Sequence, residues 1–319
     1  MLKILEYMRI ITKTKHDYII ETKSLEFGFG RKELLLKNIN LKIEPGSIYG
    51  FLGPNGAGKT TTIRLLLGLL KYKNGTINLF GRDISKFRLE VLSKTGSLIE
   101  QPSLYEHLSG MENLEITRQL KKIEKDKVEE ALEIVNLTDA ANKIVKTYSL
   151  GMKQRLGISI ALLGQPKLLI LDEPVNGLDP KGIKDMRILL KTINQEYGTT
   201  IFLSSHLIHE IEKLVTHLGI INMGELIFQG TLDNLRELCK SKMELHLLVD
   251  DTTKAVTCLS TKYKIIESRN KIIIDVSSME EVDVIIKELV LVNVQVYQVK
   301  IENDLEQLFL SMTENYSLK

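Results

Sequence analysis

Short apolar runs alternate with helical patterns along the first two thirds of the chain. Each run has the length and the aliphatic content of a strand, and turn-forming residues bound it. The strands predicted in this way cover residues 18–22, 39–43, 47–52, 76–79, 168–171, 200–203 and 218–223. Because strands that alternate with helices form parallel sheets covered by helices, the pattern predicts an α/β fold.

A mostly helical block interrupts this alternation at about residues 103–165. Helical periodicity is strongest at residues 125–135 and 153–163. We therefore expect a helical subdomain inserted into an α/β core, with both parts in one domain over residues 17–240. Residues 1–16 are expected to be an N-terminal extension. A membrane-surface helix and a poorly ordered segment are both open for it, and we favour the second because termini are usually poorly ordered unless docked.

The pattern changes after residue 240. Strands are predicted at residues 243–249, 264–267, 271–276 and 294–299, with helices at residues 252–259, 279–290 and 304–313. Taken in chain order, the six elements between residues 243 and 299 are arranged β-α-β-β-α-β, which is typical of ferredoxin-like domains. We therefore expect a small α+β domain over residues 241–319, without a cluster of chemically reactive side chains.

Composition narrows the class of protein. A chain of 319 residues suits two domains, and the net charge of +2 is too small to indicate a nucleic-acid partner. The two cysteines, Cys239 and Cys258, lack metal-ligand spacing and indicate reduced thiols in a cytosolic protein. We find no signal peptide and no apolar run of the ~20 residues that span a bilayer. Any membrane part is therefore expected on another chain.

The strongest chemical signal is a glycine-rich segment that fits G-x-x-x-x-G-K-[ST], the phosphate-binding loop. It consists of Gly53, Pro54, Asn55, Gly56, Ala57, Gly58, Lys59 and Thr60, and Thr61 continues it into a helix. Backbone N–H groups of such a loop, at a helix N-terminus, bind phosphate oxygens. We expect Lys59 to reach the β- and γ-phosphates of a nucleotide, and its side chain to be exposed and to pack against nothing.

Two acidic residues directly follow the apolar run at residues 168–171. Thr60 and Asp172 are expected to hold Mg²⁺, and Glu173 is expected to orient an attacking water. His206 follows the next predicted strand, from where a ring nitrogen could reach the γ-phosphate. A single histidine in such a place is more commonly structural or merely solvated, so this assignment depends on its neighbours.

Three weaker signals accompany these motifs. Ser149 and Gly151 precede a helix, and a hydroxyl, a glycine and a helix N-terminus together suit an anion. Asp179 closes a turn shortly after the acidic pair. Glu100 lies in a polar break between a predicted strand and the helical block. Each signal is weak alone, and their order along the chain is more specific.

This ordered set of motifs resembles the ATP-binding subunits of ABC transporters, over residues 18–232. It contains a Walker A loop, a glutamine-loop region, a signature motif, a Walker B strand with its glutamate, a D-loop and a switch histidine. The resemblance implies a P-loop NTPase core with ATP and Mg²⁺ as cofactors, and a role in nucleotide binding for Ser149, Gly151 and Asp179. It places the aromatic that stacks on adenine at Phe29, with Phe27 as second choice and core packing as the alternative for either.

Within the family, the chain resembles the bacitracin-resistance and lantibiotic-immunity type, which serves export of, or self-protection against, membrane-active peptide antibiotics. Residues 98–105, 111–114 and 304–310 carry this resemblance. Glu100 stands where most family members have a glutamine, as in the glutamate-loop variant of lantibiotic-immunity ATPases. Its carboxylate is expected to contact Mg²⁺, a hard cation that prefers oxygen ligands, and to report the nucleotide state to a membrane subunit.

The resemblance implies an ATPase that works as a head-to-tail pair. ATP would lie between the Walker motifs of one subunit and Ser149 and Gly151 of the other. Polytopic permease subunits would hold the pair at the cytoplasmic face of the membrane and would handle the peptide antibiotic. The alternative is a soluble ABC ATPase acting in translation or on DNA. It is opposed by the single Walker A motif and by the lack of sustained heptads. A regulator without hydrolysis is opposed by Glu173 and His206.

Overall fold

The computed structural model describes residues 18–30, 33–240, 243–268, 271–302 and 305–314. The extension predicted over residues 1–16 lies outside the described residues. The chain divides into two compact units, which meet in the sequence between Gly230 and Thr231. Among the described residues, no helix combines the length and the apolar character needed to cross a bilayer.

The boundary between the two units differs from the one predicted at residue 240. The helix Leu232–Lys240 groups with the second unit, because it packs against the helix Leu305–Glu314 near the end of the chain. Leu232 and Leu235, on the first of these helices, are buried. The sequence pattern does not predict this helix, so the predicted boundary could not take its packing into account.

The first unit alternates strands and helices as the sequence pattern predicts. Its strands are β1 (Ile20–Phe27), β2 (Leu36–Ile39), β3 (Lys42–Ile43), β4 (Ile48–Leu52), β5 (Asn74–Leu79), β6 (Arg82–Asp83), β7 (Thr95–Leu98), β8 (Leu168–Leu171), β9 (Thr200–Ser205), β10 (His217–Asn222) and β11 (Glu225–Thr231). Its helices are α1 (Lys59–Leu66), α2 (Ile84–Ser93), α3 (Gly110–Lys121), α4 (Asp126–Ile134), α5 (Leu150–Leu162), α6 (Pro180–Tyr197) and α7 (Ile208–Ile211).

Strands β11, β10, β4, β9, β8 and β7 lie side by side, in that order, in a six-stranded sheet. Neighbouring strands from β10 to β7 are parallel, as predicted. Leu52 of β4 pairs with Ser205 of β9, and Leu171 of β8 pairs with Leu203 of β9. The carboxyl ends of these three strands therefore meet at one edge of the sheet, where α/β folds form their ligand crevices.

A second sheet in this unit is antiparallel, and the sequence pattern does not predict it. In this sheet β1 pairs with β2, β3 and β5, and β5 also pairs with β6. The single strand predicted at residues 39–43 is wrong, since β2 and β3 are separate. Asn38 has a left-handed φ of 51°, and the Asn40 amide donates to the Asn38 carbonyl oxygen at 2.7 Å. These local contacts take the backbone out of the ladder between the two strands.

The predicted helical block is present between β7 and β8, as α3, α4 and α5 with two short 3₁₀ turns before α5. Helix α5 approaches β7 and the segment after it closely. A Cβ atom on Gly96 of β7 would lie 2.3 Å from the carbonyl oxygen of Ala161, and one on Gly157 would lie 2.8 Å from Cβ of Pro102. Only a residue without a side chain fits at these points. The helix is therefore fixed against the segment that carries Glu100.

The second unit has the predicted element order. After α8 (Leu232–Lys240), its elements are β12 (Met243–Val249), α9 (Thr252–Leu259), β13 (Ile265–Ser268), β14 (Lys271–Val276), α10 (Met279–Leu291), β15 (Val296–Glu302) and α11 (Leu305–Glu314). The strands form an antiparallel sheet in the order β13-β14-β12-β15. Leu245, Leu247, Ile274, Ile285 and Leu289 pack in one apolar core. Alternate residues of β12 and β14 supply it, which is the period-2 pattern of a half-buried sheet.

Candidate nucleotide-binding site

The phosphate-loop sequence, residues 53–60, connects the buried strand β4 to the first turn of α1. Gly56 and Gly58 have φ values of 82° and 110°, which side-chain-bearing residues rarely adopt. A Cβ atom on Gly53 would lie 2.3 Å from the carbonyl oxygen of Ile221. The glycines of this loop therefore meet backbone requirements, and they leave the N-terminus of α1 open to an anion.

Lys59 is buried, and the expectation that its side chain is exposed and packs against nothing is wrong. Only 6% of the residue is exposed. Its Nζ donates to the carbonyl oxygens of Gly53 and Pro54 at 2.7 and 3.3 Å, and it lies 3.2 Å from Oε1 of Glu173. The loop folds back over the ammonium group, and carbonyl oxygens replace the water that the charge loses on burial.

Thr60 and Asp172 lie in direct contact, as the metal-site prediction requires. The Thr60 hydroxyl donates to Oδ2 of Asp172 at 2.8 Å. Oδ1 of Asp172 accepts a hydrogen bond of 2.6 Å from the hydroxyl of Ser204, which also accepts one of 2.8 Å from the backbone N–H of Glu173. Asp172 and Ser204 are both buried. The Asp172 carboxylate is therefore held in one orientation from two sides.

Glu173 contacts a different pair of side chains from Asp172. Its φ of 48° turns the backbone between the two carboxylates. Oε2 lies 3.0 Å from Nδ1 of His206, while Oε1 faces Lys59. A carboxylate beside one ring nitrogen orients the imidazole and favours a proton on that nitrogen. The structure thus brings the two predicted catalytic residues together.

The predicted metal ligands share one cleft of about 320 Å³. It is lined by Thr60, Glu100, Gln101, Leu150, Gln154, Asp172, Glu173, Asn176 and Gly177. Glu100 has a left-handed φ of 58°, and its Oε1 accepts a hydrogen bond of 2.5 Å from Nη2 of Arg64. A larger cavity of about 500 Å³ lies elsewhere, and its lining includes Glu133, Arg155 and Asp185 but no predicted site residue.

A family model described as "ABC transporter" matches residues 36–176 of this chain. Over 248 residues, the chain is 46% identical to the bacitracin transport ATP-binding protein of Bacillus licheniformis, covering 77% of this chain and 80% of that protein. The chain belongs to the ABC transporter ATP-binding proteins. It is accordingly an ATP-binding and ATP-hydrolysing subunit.

Two further similarities fit this family. The chain is 40% identical over 228 residues to the lantibiotic transport ATP-binding protein of Streptococcus pyogenes, covering 70% of this chain and 97% of that one. The structure is similar to CbiO1 from Clostridium perfringens, part of the ABC transporter complex CbiONQ. The TM-score is 0.66 at 28% identity, covering 70% of this chain and 94% of CbiO1. The ABC ATPase fold predicted from the motifs is confirmed.

The residues that the resemblance assigns to the signature motif and the D-loop lie at the starts of helices. Ser149 is exposed and caps α5 by accepting the backbone N–H of Met152 at 3.3 Å. Asp179 caps α6 by accepting the N–H of Gly182 at 2.9 Å. Gly151 lies in the first turn of α5, where a Cβ would find only an ordinary contact at 3.7 Å. A structural role as helix caps is therefore shown for Ser149 and Asp179.

The two aromatic residues considered for adenine stacking have different surroundings. Phe27 is 5% exposed and belongs to the core of the first unit. Phe29 is 77% exposed, and its ring contacts that of Phe27 edge-on at a centroid distance of 5.0 Å. Core packing thus accounts for Phe27, and Phe29 is the aromatic of the pair whose face is available to a base.

Gln154 is a cleft residue that is not among the site residues predicted from the motifs. It is 4% exposed, it lines the cleft, and its Oε1 has no hydrogen-bond partner among the described residues. A buried amide oxygen without a partner is costly, which indicates that another group completes it. Helical spacing could have identified it, because it lies four residues after Leu150, another cleft residue, on the same face of α5.

The donor set of the cleft fits Mg²⁺. Thr60 offers a hydroxyl oxygen, and Asp172 and Glu100 offer carboxylate oxygens, which are the hard ligands that Mg²⁺ takes in combination with phosphate oxygens. Among the described residues, no three His, Cys, Asp or Glu side chains are grouped as a ready-made metal site. The carboxylates of Asp172 and Glu100 are instead engaged with Thr60, Ser204 and Arg64.

Proposed function

We propose that this ATPase powers the export of, or self-protection against, a peptide antibiotic through separate polytopic permease subunits. The observation that carries the substrate class is Glu100, a carboxylate where most family members have a glutamine. The similarity to bacitracin and lantibiotic transport proteins supports the same class. The alternative of a soluble ABC ATPase acting in translation or on DNA has no support from these relatives.

The proposed working unit is a head-to-tail pair at the cytoplasmic face of the membrane. In each site, Lys59, Thr60, Asp172 and Glu100 would hold ATP and Mg²⁺ from one subunit, and Phe29 would stack on adenine. The phosphate loop of that same subunit, Gly53 to Thr61, would surround the phosphates. The exposed position of Ser149 and the free approach to Gly151 suit contact with the γ-phosphate from the other subunit, near Asp179.

The contacts of Lys59 indicate how the site responds when ATP enters. The three N–H groups of an ammonium are matched here by the carbonyl oxygens of Gly53 and Pro54 and by the Glu173 carboxylate. A phosphate oxygen that reaches Lys59 must replace one of these partners. Glu173 is the mobile one, because its partners are side chains whereas the carbonyls belong to the loop. Binding of ATP would thus release Glu173 from Lys59.

Released from Lys59, Glu173 keeps His206 as its partner and faces the cleft. Its carboxylate would orient the attacking water and accept its proton, while His206 would hold Glu173 and contact the γ-phosphate. Mg²⁺, when bound, supplies positive charge to the phosphate oxygens. Thr60, Asp172 and Glu100 would hold it. The remaining contribution of the chain is to position these groups and to exclude water as the pair closes.

The catalytic half of the proposal is tested with Glu173→Gln. The amide keeps the shape of the side chain and loses the charge that orients water. We expect this variant to bind ATP, to hydrolyse it very slowly, and to elute as a dimer on size-exclusion chromatography with ATP and Mg²⁺. Glu129→Gln, an exposed glutamate of α4, is the matched control and should behave as wild type. Full turnover by Glu173→Gln would exclude the proposed role.

The substrate class is tested in cells that carry this chain with its membrane subunits. We expect tolerance to bacitracin or a lantibiotic to require an active ATPase, so that Glu173→Gln abolishes it and Glu129→Gln does not. If both variants confer wild-type tolerance, the peptide-antibiotic function is wrong even if the ATPase assignment holds.

A further inference from the structure

Glu100 is held by an arginine in this structure. Nη2 of Arg64 donates a hydrogen bond of 2.5 Å to Oε1 of Glu100. Arg64 belongs to α1, the helix that starts at the phosphate loop, and lies four residues after Thr60. Residues four apart share a helix face, so the arginine and the Thr60 hydroxyl lie on the same side of α1. The Glu100 carboxylate is thus paired one helical turn from the predicted metal position.

Two cationic partners are therefore available to one carboxylate. Glu100 lines the same cleft as Thr60 and Asp172, whose side chains are hydrogen-bonded to each other. A hydrogen bond from Arg64 occupies an oxygen that a metal would need. A guanidinium and a carboxylate form a charge-assisted hydrogen bond, which a neutral glutamine at this position would not form with equal strength. The competition is therefore a property of the glutamate.

The solvent exposure of Arg64 and Glu100 determines how strong their ion pair is. The side chains of Arg64 and Glu100 are 41% and 61% exposed. Exposed ion pairs are weak and are screened by salt, so the arginine holds the carboxylate without locking it. A bound divalent cation carries more charge than a guanidinium and can displace it. An exchange of partners is then reversible within one catalytic cycle.

We propose that Arg64 is the resting partner of Glu100 and that it competes with Mg²⁺ for this carboxylate. Arg64 is a positioning residue: it sets how much Mg²⁺–nucleotide is needed before the Glu100 carboxylate leaves Arg64 for the metal ion. The inference rests on the proposed function, in which Glu100 is a metal ligand. It adds that this ligand must leave an ion pair within its own subunit before it can act.

A double-mutant cycle on Mg²⁺ affinity tests the competition without measuring turnover. The wild type, Arg64→Gln, Glu100→Gln and the double variant are titrated with Mg²⁺ at a fixed concentration of mant-ADP, and the midpoint is taken from its fluorescence. Association of Mg²⁺ with the nucleotide in solution is common to all variants and cancels. We expect Glu100→Gln alone to raise the midpoint.

Arg64→Gln should lower the Mg²⁺ midpoint two- to fivefold where Glu100 is present, which is about 0.4–1 kcal/mol at about 1.4 kcal/mol per tenfold. It should leave the midpoint unchanged in the Glu100→Gln background. Arg64→Lys keeps the charge and should restore a midpoint near that of the wild type, and added salt should reduce the difference. Lys94→Gln, which breaks the exposed pair of Lys94 with Glu90, is the matched control and should change nothing.

The outcomes separate this inference from the proposed function. If Glu100→Gln leaves the midpoint unchanged, Glu100 is not a metal ligand, and both the proposed ligand role and the inference fail. If Glu100→Gln raises the midpoint but Arg64→Gln shifts it equally in both backgrounds, the arginine acts independently of Glu100. In that case the competition is wrong and the ligand role stands.

Discussion

The hydroxyl of Ser204 donates a hydrogen bond of 2.6 Å to Oδ1 of Asp172. The two residues follow the pair Leu171 and Leu203 on the neighbouring parallel strands β8 and β9, so the sheet itself brings them together. With Oδ1 occupied in this way, Oδ2 is directed to the Thr60 hydroxyl. Strand β9, which precedes the predicted switch histidine His206, thus orients the predicted metal ligand at the end of β8.

Ser204→Ala should lower both stability and ATPase rate. The change leaves Asp172 Oδ1 and the N–H of Glu173 without this partner, at a cost of about 1–3 kcal/mol per buried group. Urea denaturation and kcat measurements check the two effects. Ser159→Ala is the matched control, because its buried hydroxyl donates to the Ala131 carbonyl away from the site. It should lose stability and keep its kcat, and a wild-type kcat in Ser204→Ala would contradict the orienting role.

Lys59→Ala should abolish nucleotide binding and also destabilise the protein. Removal of the ammonium takes away the lysine that is proposed to meet the phosphates. It also leaves two loop carbonyls without this donor and Glu173 without one of its two side-chain partners, at about 1–3 kcal/mol. Titration with mant-ATP and thermal unfolding measure the two losses. Lys86→Ala, at an exposed position of α2, should leave both unchanged. Undiminished mant-ATP affinity in folded Lys59→Ala would refute the phosphate-loop assignment.

Much of this site follows from the sequence because its residues belong to contiguous motifs. The phosphate loop and the acidic pair each consist of residues that are neighbours in the sequence, so each can be recognised as a motif. The alternation of strands and helices then places both motifs at one edge of a sheet. The buried state of Lys59 does not follow from the motif. It depends on how the loop folds back over the side chain, which involves backbone carbonyl positions that no residue pattern specifies.

Contacts between distant segments account for most of what the sequence leaves open. The pairing of Arg64 with Glu100 and the Ser204 hydrogen bond join residues 36 and 32 positions apart. The antiparallel sheet around β1 depends on pairing, whereas period-2 alternation predicts only that a strand exists. The position of α8 likewise depends on its contact with α11, near the far end of the chain.

Glu210 offers a prediction about pH. It lies on α7, and its Oε2 is buried and has no hydrogen-bond partner within the described part of the chain. Burial raises the pKa of this carboxyl above the ordinary value of about 4.3. Above that pH the folded state holds the proton more tightly than the unfolded state, so this group lowers stability as pH rises. Glu210→Gln removes the charge.

Between pH 4 and pH 8, the melting temperature of Glu210→Gln relative to the wild type should therefore increase as pH rises above the ordinary pKa, and level off once pH passes the raised pKa of Glu210. Thermal unfolding across this range measures it. Glu129→Gln, at an exposed position, should show no such trend. A difference that is constant with pH, or that shrinks towards pH 8, would contradict the assignment of the buried charge.

Two glycines of α5 should respond differently to alanine. A Cβ on Gly157 would lie 2.8 and 2.9 Å from Cβ and Cγ of Pro102, so Gly157→Ala should cost about 1–3 kcal/mol of stability through overpacking. Gly151→Ala meets only an ordinary contact and should keep wild-type stability. Its ATPase rate should fall, because Gly151 is proposed to approach the γ-phosphate held by the other subunit. Equal stability losses in both variants would contradict this distinction.

The close packing of α5 makes this helix move as a rigid body with the segment that carries Glu100. Its contacts at Gly157 and Ala161 lie about one turn apart, and they fix both the height and the rotation of the helix against Pro102 and β7. Ser149 lies about 12 Å further along the axis, at about 1.5 Å per residue. A displacement of the segment that carries Glu100 would therefore move Ser149 by the same distance. In the proposed pair, each subunit's own nucleotide then moves the serine that serves its neighbour, and ATP consumption should rise more steeply with ATP concentration than two independent sites allow.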